Sequence, residues 1–199
     1  MTGIYERYMK QKLEKSVSAV LLILFWPLLL IIAVSIKLED GGKVIFTQSR
    51  LGKDKKPFKI YKFRTMKENH ENPDTRAYQG DSRITPIGRI LRKTSLDELP
   101  QLFNILKGDM AIVGPRPILE EEAEFKIEGY SYDKRFSVLP GLFCSIDMKY
   151  RAKADREKQF RMDVAYVENI TLKSDFIIVI KTAVTVLKGS NVYADPQDR

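Results

Sequence analysis

Ser95-Leu96-Asp97-Glu98-Leu99-Pro100 puts two adjacent carboxylates immediately before a helix whose start is marked by Pro100. Free amides and the positive dipole end favour a carboxylate or a phosphate at such a place. An aspartate there stays ionised and can attack phosphorus, as in enzymes that form an aspartyl phosphate. A capping box, Ser95 with Glu98 three residues on, explains the same residues without any chemistry. Their company decides between the two readings. A carboxylate nucleophile repels an anionic phosphate ester, so the site needs cations, from a metal and from Lys or Arg. Lys62, Arg64, Arg92 and Arg116 are the candidates, with Arg116 fixed between Pro115 and Pro117. A Pro-Arg-Pro loop can also be a mere connector. Gly108-Asp109-Met110 and Gly114 bracket Ala111-Ile112-Val113, a short apolar segment that returns the chain toward the carboxylates.

Other chemistries are excluded by count. The chain has one cysteine, Cys144, and one histidine, His70, so it holds neither an internal disulfide nor a Cys/His zinc site. Cys144 follows Leu142 and Phe143 and reads as a buried structural thiol. His70, among Glu68, Asn69, Glu71 and Asn72, reads as an exposed loop residue and not as a base. The net charge of +8 is local: residues 37–67 carry ten Lys/Arg against Glu39, Asp40 and Asp54. That block follows an apolar segment, which points to anionic lipid head groups or phosphorylated substrates and away from nucleic acid.

The elements that must position these residues are legible in outline. At 199 residues the chain has the length of one domain. Residues 1–16 suit a helix on a surface, and residues 17–36 are uncharged and close to a bilayer's thickness. Pro27 sits in the middle of that run and should kink it, leaving two limbs of roughly 15 Å each. A re-entrant hairpin and a kinked spanning helix both fit, and lysines at both ends leave the orientation open. No cleavage site follows, so a signal peptide is not expected.

Residues 44–48 and 58–63 read as two strands around a basic turn, and 67–82 as a polar loop. Helices are expected over 83–93, 100–107, 118–128, 158–168 and 176–187. Ser174 or Asp175 should cap the last and Gly189 close it, leaving a wide apolar face for core or membrane. The fold class expected is α+β, mostly helical with a small β-hairpin and interfacial amphipathic helices. Residues 1–40 are expected to form the membrane anchor and 41–199 the catalytic domain.

Lys62-Phe63-Arg64-Thr65-Met66, Ser95 to Leu102, Lys107-Gly108-Asp109-Met110 and Val113-Gly114-Pro115-Arg116-Pro117 together resemble the bacterial sugar transferase family. Its members are the monotopic polyprenyl-phosphate phosphoglycosyl transferases that begin glycoconjugate assembly. The resemblance extends from the membrane insert to Tyr166-Val167-Glu168-Asn169 and the terminal helix, and the length matches the family's minimal catalytic unit. It implies that Asp97 attacks a UDP-sugar, releases UMP, and passes the phosphosugar to polyprenyl (undecaprenyl) phosphate. It further implies that Asp97 and Glu98 hold Mg2+, that Lys62, Arg92 and Arg116 neutralise phosphate, and that Arg151 and Asp163 keep their places, Arg151 as a further phosphate- or substrate-binding residue. The insert is then re-entrant at Pro27, on the cytoplasmic face of the inner membrane. Self-association and downstream glycosyltransferases are the protein partners implied.

The sequence departs from the family at Leu139-Pro140-Gly141-Leu142-Phe143-Cys144, where Arg-Pro-Gly-x-Thr-Gly is usual. That puts the nucleotide-sugar pocket and the sugar's identity in doubt. The alternative is a catalytically altered homologue that binds polyprenyl phosphate or scaffolds glycosyltransferases.

Overall fold

The computed structural model describes residues 5–67, 78, 80–151 and 155–189. His70 and most of the polar loop expected at 67–82 lie outside the described residues. A π-helical turn, Tyr5–Met9, leads into α1, Lys10–Asp40, which continues through Pro27 as one helix. The proline withholds one backbone donor, and the helix continues past it. At 1.5 Å per residue α1 is about 46 Å long.

One face of α1 lies along the rest of the protein. Lys10, Glu14, Ser18, Ile32 and Ile36 are buried on it. Leu21 and Leu22 join the cluster of Ile60, Leu102, Ile105 and Met110, and Leu28, Leu29 and Ala33 join that of Phe63 and Leu91. These positions recur at helical spacing, and each large apolar side chain that becomes fully buried contributes about 1.5–3 kcal/mol. The opposite face, with Leu13, Val17, Val20, Leu24, Ile31 and Leu38, is exposed. Both ends are tied down by polar contacts. At one end Lys10 Nζ reaches Asp175 (2.5 Å) and Glu14 accepts from the Val113 amide. At the other Glu39 accepts from the Ile87 amide and Asp40 pairs with Arg64.

The expected hairpin is present: β1 (Ile45–Leu51) and β2 (Pro57–Phe63) pair antiparallel with Ile45 opposite Phe63. Helix α2 runs Pro86–Thr94, capped by the Thr85 hydroxyl, and α3 runs Gln101–Lys107. A second sheet was not expected. β3 (Ala111–Val113) pairs in parallel with β4 (Gly141–Phe143), and Gly114 and Gly141 approach so closely that a Cβ on either would strike backbone.

Two helix expectations need correction. Residues 118–128 form no α-helix, only a 3-10 turn at Glu121–Glu124. Ile118 is fully buried and held extended by a bridge to Leu51, and the Glu122 carboxylate takes the Leu119 amide. The last helix, α5, spans Leu172–Leu187 and so starts four residues early. Thr171 and Ser174 form its capping box, and Asp175 is an interior residue. Helix α4 occupies Arg156–Glu168, close to expectation.

Candidate active site

Ser95 ends α2 in the left-handed conformation (φ +57°), and Leu96–Glu98 then form a 3-10 turn. Leu96 packs into the Phe63 and Leu91 cluster, and Leu99 into that of Ile60 and Leu102. These two anchors fix the turn that carries Asp97 and Glu98. The capping-box reading fails here: the Ser95 hydroxyl caps nothing and accepts from Arg151 Nη2 at 2.8 Å. Glu98 is likewise occupied, by Lys62 Nζ at 2.6 Å. The carboxylates therefore stand in their own turn and not at the amides of α3.

Asp97 is 8% exposed, and no described residue donates a side-chain hydrogen bond to it. Burial pushes its pKa up and Glu98 adds to the rise, while Lys62 and Arg92 oppose it. The result is a carboxylate more basic than usual, which makes it a better nucleophile once ionised. Burial also raises Glu98, but Lys62 and Arg116, with help from Arg151, outweigh it and hold that group below the ordinary range. Neighbouring carboxylates pushed apart in this way divide their roles.

The cations have separate tasks. Lys62 projects from β2 onto Glu98, and Arg92 is oriented by Nε donation to the Thr65 hydroxyl at 2.8 Å. Arg116 donates to both oxygens of Asp147 at 2.9 Å, and this carboxylate holds its charge firmly. Arg151 braces the turn through Ser95. Arg64 is the exception among the expected phosphate ligands. It is buried against Asp40 at the end of α1 and donates to the Lys43 carbonyl, so its charge fastens β2 to α1.

Lys62, Glu98 and Arg116 open onto a cleft of about 50 Å³ whose walls include Arg50, Ile60, Gln101, Pro117, Leu142 and Cys144. Sequence reasoning missed Arg50, Gln101 and Asp147. Burial lowers the Arg50 pKa to about 10, yet the group remains charged near neutrality. Asn104 was also missed: its carboxamide accepts from the Tyr61 amide at 3.0 Å and donates to the Lys59 carbonyl at 2.7 Å, fixing α3 against β2. A polar residue inside the apolar run of α3 was the available signal. Cys144 is buried as expected, with its thiol toward the Gly141 carbonyl.

The donor set suits a hard cation. No side chain among the described residues hydrogen-bonds to Asp97, which stands beside Glu98, and Mg2+ is bound by one or two carboxylates plus substrate phosphates. Among the described residues there is no cluster of three acidic, His or Cys ligands, so the substrate must complete any coordination.

Residues 5–189 match the bacterial sugar transferase family, to which the chain therefore belongs. It is 40% identical over 189 residues to an Aeromonas hydrophila protein named UDP-N-acetylgalactosamine-undecaprenyl-phosphate N-acetylgalactosaminephosphotransferase; the match covers 92% of this chain and 44% of that one. It is 38% identical to the exopolysaccharide production protein ExoY of Rhizobium meliloti, covering 91% of this chain and 87% of that one. A Caulobacter vibrioides UDP-glucose:undecaprenyl-phosphate glucose-1-phosphate transferase is also 38% identical, covering 92% and 72%. The chain thus spans less than half of the first of these relatives and most of the second.

Proposed function

We propose that this protein transfers a sugar 1-phosphate from a UDP-sugar to undecaprenyl or a similar polyprenyl phosphate, through a covalent intermediate on Asp97. The observation that carries the proposal is Asp97 itself, buried, without a side-chain hydrogen-bond donor among the described residues, and in the field of Lys62 and Arg92. In the first half-reaction an Asp97 oxygen forms a bond to the sugar-bearing phosphorus, and the bond from that phosphorus to the UMP oxygen breaks. In the second, a phosphate oxygen of the polyprenyl phosphate attacks the same phosphorus and the bond to Asp97 breaks, restoring the carboxylate. Lys62 and Arg116 lie where they can neutralise the phosphate, with Asp97 and Glu98 as the ligands for Mg2+. The metal, when bound, lowers the repulsion between substrate and carboxylates.

The altered segment, residues 139–150, keeps a use in this scheme. It supplies β4 and Asp147, the residue that holds Arg116, which argues against a purely scaffolding homologue. The reaction test is release of UMP from a panel of UDP-sugars. Release that depends on polyprenyl phosphate for turnover and stops in excess EDTA is expected. Full turnover in EDTA would remove the metal from the scheme, and no release with any UDP-sugar would remove the reaction.

The same proposal includes a re-entrant anchor, with Pro27 near its middle, confined to the cytoplasmic side of the inner membrane. Its support is that both ends of α1 touch one globular body, whereas a spanning helix carries one end about 30 Å away. The exposed Phe176, Ile180, Val184 and Leu187 of α5 would rest at the lipid interface. Single cysteines at Met9 and Leu38, both exposed, report the topology, since the native Cys144 is buried. Neither should react with an impermeant reagent outside intact cells. Labelling of either one from outside would establish a spanning helix.

A further inference from the structure

We propose that Gln101 is a substrate-binding residue whose carboxamide hydrogen-bonds a phosphoryl oxygen in the cleft formed with Arg50, Lys62 and Arg116. This rests on the function proposed above. Gln101 is 2% exposed at the first position of α3, and it lines that cleft. Among the described residues nothing hydrogen-bonds to its side chain. The carboxamide atoms themselves are not sealed off but keep access to the cleft, so their hydrogen-bonding capacity is turned toward whatever occupies it. Asn104, three residues along the same helix and fully buried, has both ends of its carboxamide engaged by β2. The contrast assigns Asn104 to structure and leaves Gln101 pointed at whatever enters the cleft.

The cleft defines that ligand. Three cationic side chains line it, and its volume of about 50 Å³ suits a phosphoryl group better than a base or a sugar ring. Glu98, the acidic member of the wall, already accepts from Lys62. The Gln101 amide N–H is then one more donor to a phosphoryl oxygen, and it carries no charge that would compete for Glu98. The phosphoryl group can belong to the nucleotide donor or to the prenyl acceptor.

Gln101→Leu and Gln101→Met, in the full chain in detergent with magnesium, separate a binding role from a structural one. Because no described residue hydrogen-bonds to this carboxamide, removing it breaks no contact within the protein, so both variants should melt at or above the wild-type temperature. Affinity should nevertheless fall about tenfold or more, the scale for losing one hydrogen bond to a charged group. Binding is measured with UDP and, separately, with a short-chain prenyl monophosphate. A loss confined to UDP identifies the donor's diphosphate, a loss confined to the prenyl phosphate identifies the acceptor, and loss of both identifies a shared subsite. Unchanged affinity for both ligands, or a clear drop in melting temperature in both variants, would overturn the proposal. These readouts need no turnover, so failure of sugar-phosphate transfer with intact binding would count against the reaction and not against Gln101.

Discussion

Asp97→Asn should abolish turnover, by about ten-thousandfold or more, while leaving the protein folded and membrane-bound. Loss of a nucleophile costs on this scale in enzymes that use a covalent intermediate. Asparagine keeps the shape of the side chain and removes only its charge and nucleophilicity. The stability of the variant is a second readout with a definite sign. Burial raises the Asp97 pKa, so its ionised form opposes folding; the group's stabilising share is present at low pH and is lost as pH rises through its folded pKa. The variant should therefore be as stable as the wild type or more so near neutrality, with the difference closing in acid. The intermediate itself is checked by mixing enzyme with a UDP-sugar in the absence of polyprenyl phosphate and digesting for mass spectrometry. A phosphosugar on the peptide containing Asp97, with stoichiometric UMP, is expected. Normal turnover by Asp97→Asn, or kinetics that require both substrates bound together, would sink the covalent step.

How much of this was legible in the sequence depended on the range of the interaction. The β1–β2 hairpin was visible because alternation and a short turn are local, and α4 because Arg156–Glu168 holds no Gly or Pro and suits a helix by local composition. The β3–β4 pair was not, since two three-residue strands thirty residues apart carry no local signature of their pairing. Residues 118–128 have helical composition, but the partner that keeps Ile118 extended, Leu51, is remote. The same limit governed the site. The carboxylates and most of their cations were readable as residue types, and the chain does bring Lys62, Arg92 and Arg116 into the field of Asp97 and Glu98. Which cations are already occupied was not readable. Arg64 is committed to Asp40, Arg116 is shared with Asp147, and Arg50, read as part of the basic turn, lies in β1 and reaches the cleft from there.

Arg135→Met should destabilise the protein by about 3–5 kcal/mol, the range for breaking a buried ion pair by removing one partner. Arg135 is 3% exposed and Asp163 is fully buried; their contacts are 2.8 Å from Nη2 and 3.1 Å from Nε, both to Oδ2. The guanidinium lies 5.0 Å from the Phe136 ring and 4.9 Å from that of Phe160, so water cannot replace it. Asp163 Oδ1 already lacks a partner. The effect should depend on pH. Burial raises the Asp163 pKa to about 6, against the opposing pull of Arg135 and of the Arg116 amide. Losing Arg135 raises it further. A carboxyl whose folded pKa is raised contributes stability below its unfolded value, near 4, and that contribution disappears as pH rises through the folded one. The variant's deficit should therefore be larger at pH 8 than at pH 5, where Asp163 can take a proton. Arg135→Met combined with Asp163→Leu should recover most of the stability, because neither partner is then left charged and alone. Activity should not return with it. Arg135 Nη2 also donates to the Arg116 carbonyl at 2.5 Å, so the double variant folds with the Pro-Arg-Pro loop unbraced and should turn over more slowly. Denaturant melts at the two pH values, read beside turnover, check both parts. A deficit that does not change with pH, or a double variant with full activity, would show that the pair neither carries the charge penalty nor positions Arg116.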